Sequence, residues 1–183
     1  MLIALTGTPG VGKTAVATLL KEKGYDILDL TKIAISKNFT YEFDKSRDSF
    51  VIDIEKLDKH IHEQYHSSND TIFLDGHISH LLKSVDKVIV LRCHPKELEK
   101  RLESKNWLKK KVKENIETEM LDVILCETVG NYSEKNIFEI DTTNKSIASV
   151  ASLAMKIIKN GFKHMKKYNI GNIDWSEEIL KDF

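Results

Sequence analysis

The octapeptide Gly7-Thr8-Pro9-Gly10-Val11-Gly12-Lys13-Thr14 constrains this chain more than any other stretch. It satisfies G-x-x-x-x-G-K-[ST] at every defined position, and its flanks suit it. The apolar run Leu2-Ile3-Ala4-Leu5 reads as a buried strand entering the loop, and Val16, Leu19 and Leu20 follow at helical spacing. Such a loop works through its backbone. Glycines give up their Cβ atoms so that N–H groups converge on a phosphate chain, and the helix N-terminus adds partial positive charge. The pattern predicts that Lys13 reaches the β- and γ-phosphates and that the Thr14 hydroxyl is a Mg²⁺ ligand.

The rest of the chain repeats the strand-then-helix rhythm. Tyr25–Asp29 reads as a short strand and Leu30–Ser36 as a short helix. Ile54, Leu57, Ile61 and Tyr65 mark a helix ending near His66. Thr71-Ile72-Phe73-Leu74-Asp75 and Lys87-Val88-Ile89-Val90-Leu91 are buried strands, and Pro95 suits the first turn of a helix carrying Leu98 and Leu102. Val112, Ile116, Met120, Val123 and Ile124 predict one face of a long helix. Ile137–Ile140 is the fifth strand, and 147–158 is helical. Between Lys37 and Asp53 the aromatics Phe39, Tyr41, Phe43 and Phe50 stand among charges without a clear period. Short apolar strands alternating with helices predict an α/β fold, a five-stranded parallel sheet with helices on both faces. We expect one domain over residues 1–183, two arms inserted near 30–53 and 104–114, and a tail from 161 to 183 anchored by Trp175.

Charge is balanced, 28 basic against 28 acidic residues, which argues against a non-specific nucleic-acid binder and leaves direct nucleic-acid contact open. Cys93 and Cys126 are too far apart in sequence for a C-x-x-C element, which suits a reducing cytoplasm. No apolar run approaches the ~20 residues of a membrane helix, so no membrane partner is expected. His60, His62 and His66 resemble a ligand set, but no acid-plus-water arrangement accompanies them, and they read as a surface cluster.

Two further features bear on chemistry. Asp75 ends an apolar strand, where an acid beside a P-loop holds Mg²⁺ directly or through water; a turn cap is the alternative. His77, two residues on, is placed to orient the attacking group near the γ-phosphate, or is simply a turn histidine. Arg101, Lys105, Lys109, Lys110, Lys111 and Lys113 form a cationic stretch. It either neutralises the spreading charge of a transferring phosphoryl group or is a solvated run.

Together, Gly7–Thr14, Asp75-x-His77, Val90-Leu91-Arg92, Arg101-Leu102-Glu103 and Glu114-Asn115-Ile116-Glu117-x-Glu119 resemble the atypical adenylate kinases. These are the coilin-interacting nuclear ATPase of eukaryotes and its archaeal counterparts. Asp75-Gly76-His77-Ile78-Ser79-His80 and Gly171-x-Ile173-Asp174-Trp175 are closer to the archaeal members. The resemblance implies an adenylate-kinase-like P-loop NTPase with a monophosphate arm near 30–53 and a lid near 104–114. It implies reversible transfer between ATP and AMP, weak Mg²⁺-dependent ATPase activity, and a role in maturing small-subunit ribosomal RNA beside a ribosomal protein of the subunit platform. By carry-over, Gly10, Gly12, Lys13, Thr14 and Ala15 bind ATP, with Lys105 in the lid and Lys145 after the fifth strand. Two departures stand out. The family's Arg-Gly-Tyr lid pattern is Lys105-Asn106-Trp107 here, which trades a bidentate fork for a point charge. The arginine that follows an alanine in the monophosphate arm is Ile35 here, after Ala34, with only Lys37 and Arg47 near.

Two other readings stay open: a nucleotide-gated ribosome assembly factor with incidental kinase activity, and another small P-loop metabolite kinase. For a basic ribosomal partner the candidate surfaces are the run Glu114, Glu117, Glu119, Asp122, the acidic end Glu177, Glu178, Asp182, and the Phe39–Phe50 arm. The strip Lys156, Lys159, Lys163, Lys166, Lys167 reads as a solvated helix face.

Overall fold

All five residues of the first strand, β1 (Leu2–Thr6), are buried, because both of its faces are covered. Ile3 and Leu5 point to one side and Leu2 and Ala4 to the other, into two separate apolar clusters. This is the signature of a parallel strand in a doubly covered sheet. The computed structural model describes residues 1–44, 49–163 and 165–179. The central sheet runs β2 (Asp26–Asp29), β5 (Ile72–Asp75), β1, β6 (Lys87–Arg92), β7 (Ile137–Asp141), all parallel, as expected.

One face is packed by α1 (Lys13–Glu22), α4 (Pro95–Glu103) and α7 (Ile147–Lys159) through Val16, Leu20, Leu98, Leu102, Val150, Ala154 and Ile157. Val112 of α5 (Lys109–Met120) joins the same cluster. The other face is covered by α2 (Leu30–Ser36), α3 (Ile54–Tyr65) and α6 (Val123–Asn131), through Leu30, Leu57, Ile61 and Leu125. Asp29 and Asp53 cap α2 and α3, their carboxylates accepting from the N–H groups of Lys32 and Lys56. Trp175 ties the chain after α7 to the core: its indole N–H donates to Glu119, and its ring meets His94 edge-on at 5.1 Å.

Two elements differ from expectation. Residues 37–53 hold an antiparallel hairpin, β3 (Thr40–Asp44) with β4 (Ser49–Ile52), in which Phe43 stands opposite Phe50 with ring centroids 5.0 Å apart. Thr40–Asp44 alternates polar with apolar residues, but Tyr41 and Phe43 are exposed, and Phe50-Val51-Ile52 across from it is an unbroken apolar run with Phe50 and Val51 exposed, so the pair offers no face to a core. The long helix predicted through Ile124 is two helices, broken where Asp122 adopts a left-handed conformation at φ 54°. Its cause is Arg92. The guanidinium donates to the Asp122 carboxylate and to the Glu119 carbonyl, the acceptor that a continuous helix would offer to the N–H of Val123.

Arg92 is 2% exposed and also binds Glu119 (Nε–Oε1 2.8 Å) and Glu139 (Nη1–Oε1 2.9 Å). One cation thus holds two fully buried carboxylates and a third at the surface edge. Removing it strands negative charge in the core. Arg92→Leu is expected to cost about 3–5 kcal/mol of stability; urea unfolding of the variant beside wild type measures this, and a loss below about 1 kcal/mol contradicts the account.

Candidate functional site

The sheet order places β1 where connections depart in opposite directions, toward β2 on one side and β6 and β7 on the other. Open α/β sheets bind ligands at the strand carboxyl ends beside such a switch point. Here Thr6, Asp29 and Asp75 end neighbouring strands, with Asp29 paired in register to Asp75. The loop from Gly7 to Gly12 leaves β1 at that edge. Gly7 (φ 135°) is obligatory: a Cβ there would lie 2.2 Å from the Leu91 carbonyl oxygen. Gly10 (φ 100°) is pressed by Leu102 and Leu98, which a Cβ would meet at 2.6 and 2.8 Å. Gly12 caps α1 with no side-chain hydrogen bond, so the helix's first N–H groups are left to a ligand.

Lys13 is folded back into the loop, with Nζ 2.6 Å from the Gly7 carbonyl and 3.1 Å from that of Thr8. Burial holds its pKa down to about 8, against the pull of Asp75 and Glu119; Lys105 adds to the lowering. Asp75 is nearly buried, and the Thr14 hydroxyl donates to it. Desolvation raises the Asp75 pKa above the ordinary carboxylate value, the Thr14 bond and Lys13 work against that, and Asp29 adds to it. Asp75 thus accepts from the loop's hydroxyl and feels the charge of its lysine. His77 is reached by solvent at its surface, yet the protein around it, then Lys13, His80 and Lys111, pushes its pKa down to about 4. It is a neutral imidazole at pH 7. Hydroxyl and carboxylate oxygens are the donors Mg²⁺ takes, and it needs few of them when phosphates supply the rest. No group of three or more His, Cys, Asp or Glu side chains gathers into a metal cage among the described residues; His62 and His66 stack with ring centroids 4.3 Å apart, and His60 meets Phe39 edge-on.

The cationic stretch divides. Lys105 and Lys111 flank the Trp107 ring, 5.7 and 4.6 Å from its centroid, and their charges reach Lys13 and His77 respectively. Lys110 and Lys113 face Glu114 and Glu117 on the exposed side of α5, and Lys109 is exposed. Arg101 braces the loop from behind: it donates to the Val11 carbonyl (3.3 Å), to the Thr142 hydroxyl (3.1 Å) and carbonyl (3.0 Å), and to Glu97. Lys145 pairs with Asp141 at 3.2 Å, just before the Ile147 side chain that neighbours Gly12. Ala15 is exposed on the first turn of α1. Ile35 and Lys37 are exposed at the end of α2, and Arg47 lies outside the described residues.

Several contacts were not legible in the sequence. Glu119, 2% exposed, accepts the Thr8 hydroxyl at 2.5 Å on one oxygen, and Arg92, the Cys93 N–H and the Trp175 indole on the other. It links the phosphate loop to β6, α5 and the tail. The available signal was Arg92 itself, a charge closing the apolar run Val88–Leu91 and so in need of buried acids. A second hydrogen-bonded set, buried Thr6 and His80 with half-exposed Glu127, sits behind the Asp75–His77 turn.

Loop, lysine, hydroxyl and strand-end acid define a P-loop nucleotide-binding protein. The family model described as "AAA domain" matches residues 3–122. The chain is 43% identical over 181 residues to the "Putative adenylate kinase" of Methanocaldococcus jannaschii, covering 98% of this chain and 96% of that one. It is 42% identical over 179 residues to the protein of the same name from Archaeoglobus fulgidus, covering 98% and 94%. Among solved structures, shikimate kinase from Bacteroides thetaiotaomicron shares the fold, with a TM-score of 0.59 at 16% identity over 87% of this chain and 98% of that one. The chain belongs to the P-loop family of these archaeal adenylate-kinase proteins.

A buried lysine near pH 8 makes nucleotide binding proton-linked. In the free protein about half of the Lys13 side chains are uncharged at pH 8, and a phosphate chain favours the ammonium, so metal-free ATP takes up about half a proton on binding there. Affinity then falls as pH rises from 8 toward 10. Calorimetry in buffers of different ionisation enthalpy reads the uptake, which Lys13→Ala removes; no uptake in the wild type contradicts the assignment.

Proposed function

We propose that the protein transfers the γ-phosphoryl group of ATP to AMP, reversibly giving two ADP, and slowly hydrolyses ATP when water is the acceptor. The observation that carries this is the convergence of Lys13, Thr14 and Asp75 at the carboxyl ends of β1 and β5, in a chain over two-fifths identical to an archaeal protein named for that activity. The loop N–H groups and the Lys13 ammonium hold the β- and γ-phosphate oxygens. The Thr14 hydroxyl and Asp75 carboxylate would hold Mg²⁺, which when bound neutralises charge on those oxygens. His77, neutral at pH 7, orients the attacking oxygen by hydrogen bonding without adding charge. Lys105 and Lys111 stabilise the charge that spreads over the equatorial oxygens. Arg101 keeps the loop in shape instead of touching phosphate.

A second reading keeps the same ATP chemistry and makes it gate a ribosomal protein of the small-subunit platform during RNA maturation. The acidic run weighed for this contact is partly spent. Glu119 is buried and Asp122 is bound to Arg92, which leaves Glu114 and Glu117, each facing a lysine; Asp182 lies outside the described residues. The hairpin supports the reading better, with Tyr41 70% exposed and Phe43, Phe50 and Val51 above 40%. It lies in the same arm as Ile35, which stands in place of the monophosphate arginine.

ADP formed from ATP, with and without AMP, separates the two readings: strong AMP stimulation supports the kinase, none supports the ATPase. Lys13→Ala should lower turnover at least ~100-fold at unchanged circular dichroism. Asp75→Asn should weaken Mg²⁺-dependent turnover more than metal-free ATP binding, and His77→Ala should lower turnover at nearly constant affinity. Residual Lys13→Ala turnover within a few-fold of wild type sinks the P-loop assignment.

For the ribosomal partner, calorimetry should find binding that weakens with salt and competes with AMP. Absence of binding at low salt removes that reading.

A further inference from the structure

Behind the Asp75–His77 turn, one buried histidine is hydrogen-bonded on both ring nitrogens. His80, on the short turn Ser79–Leu81, is 1% exposed. Its Nδ1 lies 2.8 Å from the Thr6 hydroxyl, and its Nε2 lies 2.9 Å from the Glu127 carboxylate on α6. Thr6 is fully buried and is the last residue of β1, next to Gly7. The same hydroxyl is also within hydrogen-bond reach of the His77 carbonyl oxygen, to which it can donate at 3.3 Å. A line of groups therefore runs from Glu127, whose side chain is half exposed, to the turn that carries His77.

The protons along this line can be counted. The Glu127 carboxylate only accepts, so Nε2 of His80 carries a proton. In the neutral ring Nδ1 is then bare, and the Thr6 hydroxyl donates to it. A second proton makes Nδ1 a donor. The Thr6 oxygen must then accept, and its own proton turns to the other acceptor in reach, the His77 carbonyl. Both partners, Nδ1 at 2.8 Å and the carbonyl at 3.3 Å, are within reach of the one hydroxyl, so it can take up either arrangement. The charged and titratable groups facing His80 are Glu127 on α6, Lys13 on α1 and His77 in its own turn. Burial lowers the His80 pKa, Glu127 opposes this and Lys13 adds to it, so the neutral ring prevails near pH 7.

We propose that His80 is a positioning residue: its neutral form holds the Thr6 hydroxyl away from the His77 carbonyl, and protonation hands that hydroxyl's hydrogen bond to the carbonyl and draws the His77 turn toward β1. The consequence for turnover rests on the phosphoryl-transfer reading above; the hydrogen-bond exchange does not. Drawing the turn inward displaces His77 relative to the loop by a fraction of an ångström and lowers kcat on the acid side, with ATP affinity little changed.

Two measurements test this on the full-length protein. Nitrogen-15 correlation spectra of the imidazoles, without nucleotide, should show His80 as the Nε2–H tautomer at pH 8, gaining its second proton as pH falls. The His77 carbonyl carbon-13 shift should move with it in wild type and stay still in Thr6→Val. An Nδ1–H tautomer, a ring that never titrates in the folded protein, or a carbonyl shift indifferent to Thr6 overturns the proposal. In turnover, kcat should fall about tenfold across the His80 titration, the scale of a small misplacement of a reacting group. Glu127→Gln, a half-exposed change that leaves folding undisturbed, should move both the His80 titration and this limb to lower pH. His80→Asn, which keeps an acceptor at the Nδ1 position, should abolish the limb. A limb that ignores Glu127→Gln, or a loss of affinity in place of kcat, reduces His80 to a packed core histidine and contradicts the proposal. Should the wild type show no AMP-dependent ADP formation, the kinase reading fails by itself, and the spectra still decide the proton exchange.

Discussion

The arrangement of the site depends on one buried carboxylate. Glu119 holds the Thr8 hydroxyl with one oxygen and Arg92, the Cys93 N–H and the Trp175 indole with the other. The four partners come from the phosphate loop, β6, the residue after it and the tail. An ionised acid in so dry a place is tolerable only when every lone pair is used and a cation is adjacent. That requirement fixes the loop's first turn against α5, so the loop's shape is set by the core behind it as well as by its glycines.

Arg92 carries the same logic further. It holds Glu119, Glu139 and Asp122 together, and by claiming the Glu119 carbonyl it ends α5. The kink sends α6 across the opposite face of the sheet, where Glu127 meets His80. The front of the site faces a different balance. Lys13 and Asp75 are both pushed toward neutrality by desolvation and drawn back to charge by one another. Such a pair gains from a ligand that brings phosphate charge and a divalent cation together.

Much of this was legible from residue patterns, and the failures have physical causes. The interior strands were readable because a parallel strand buried on both faces is continuously apolar, as Leu2–Leu5 and Val88–Leu91 are. The loop was readable because its backbone tolerates only glycine at Gly7 and Gly10. The hairpin was hidden because only one of its strands, Thr40–Asp44, alternates, while Phe50–Ile52 is an unbroken apolar run and the aromatics are exposed instead of facing the core. The break between α5 and α6 was hidden because its cause, Arg92, lies 27 to 30 residues upstream of the carboxylates it binds there. At the site, Lys13 lies among Thr14, Asp75, Lys105 and His77, while Arg101 and Lys145 are held by neighbouring protein groups. No spacing rule pairs Thr8 with Glu119 or Thr6 with His80, because tertiary contacts more than 70 residues apart leave no local trace.

The central claim is that the loop holds ATP beside a second nucleotide whose phosphate accepts the γ-phosphoryl group. A bisubstrate mimic, two adenosines joined by five phosphates, tests this most directly. Calorimetry with Mg²⁺ should show one mimic bound per chain, at least ~100-fold more tightly than ATP because the second nucleotide is already tethered, with both ATP and AMP competing for it. A mimic that binds no better than ATP, and that AMP cannot displace, would contradict the account.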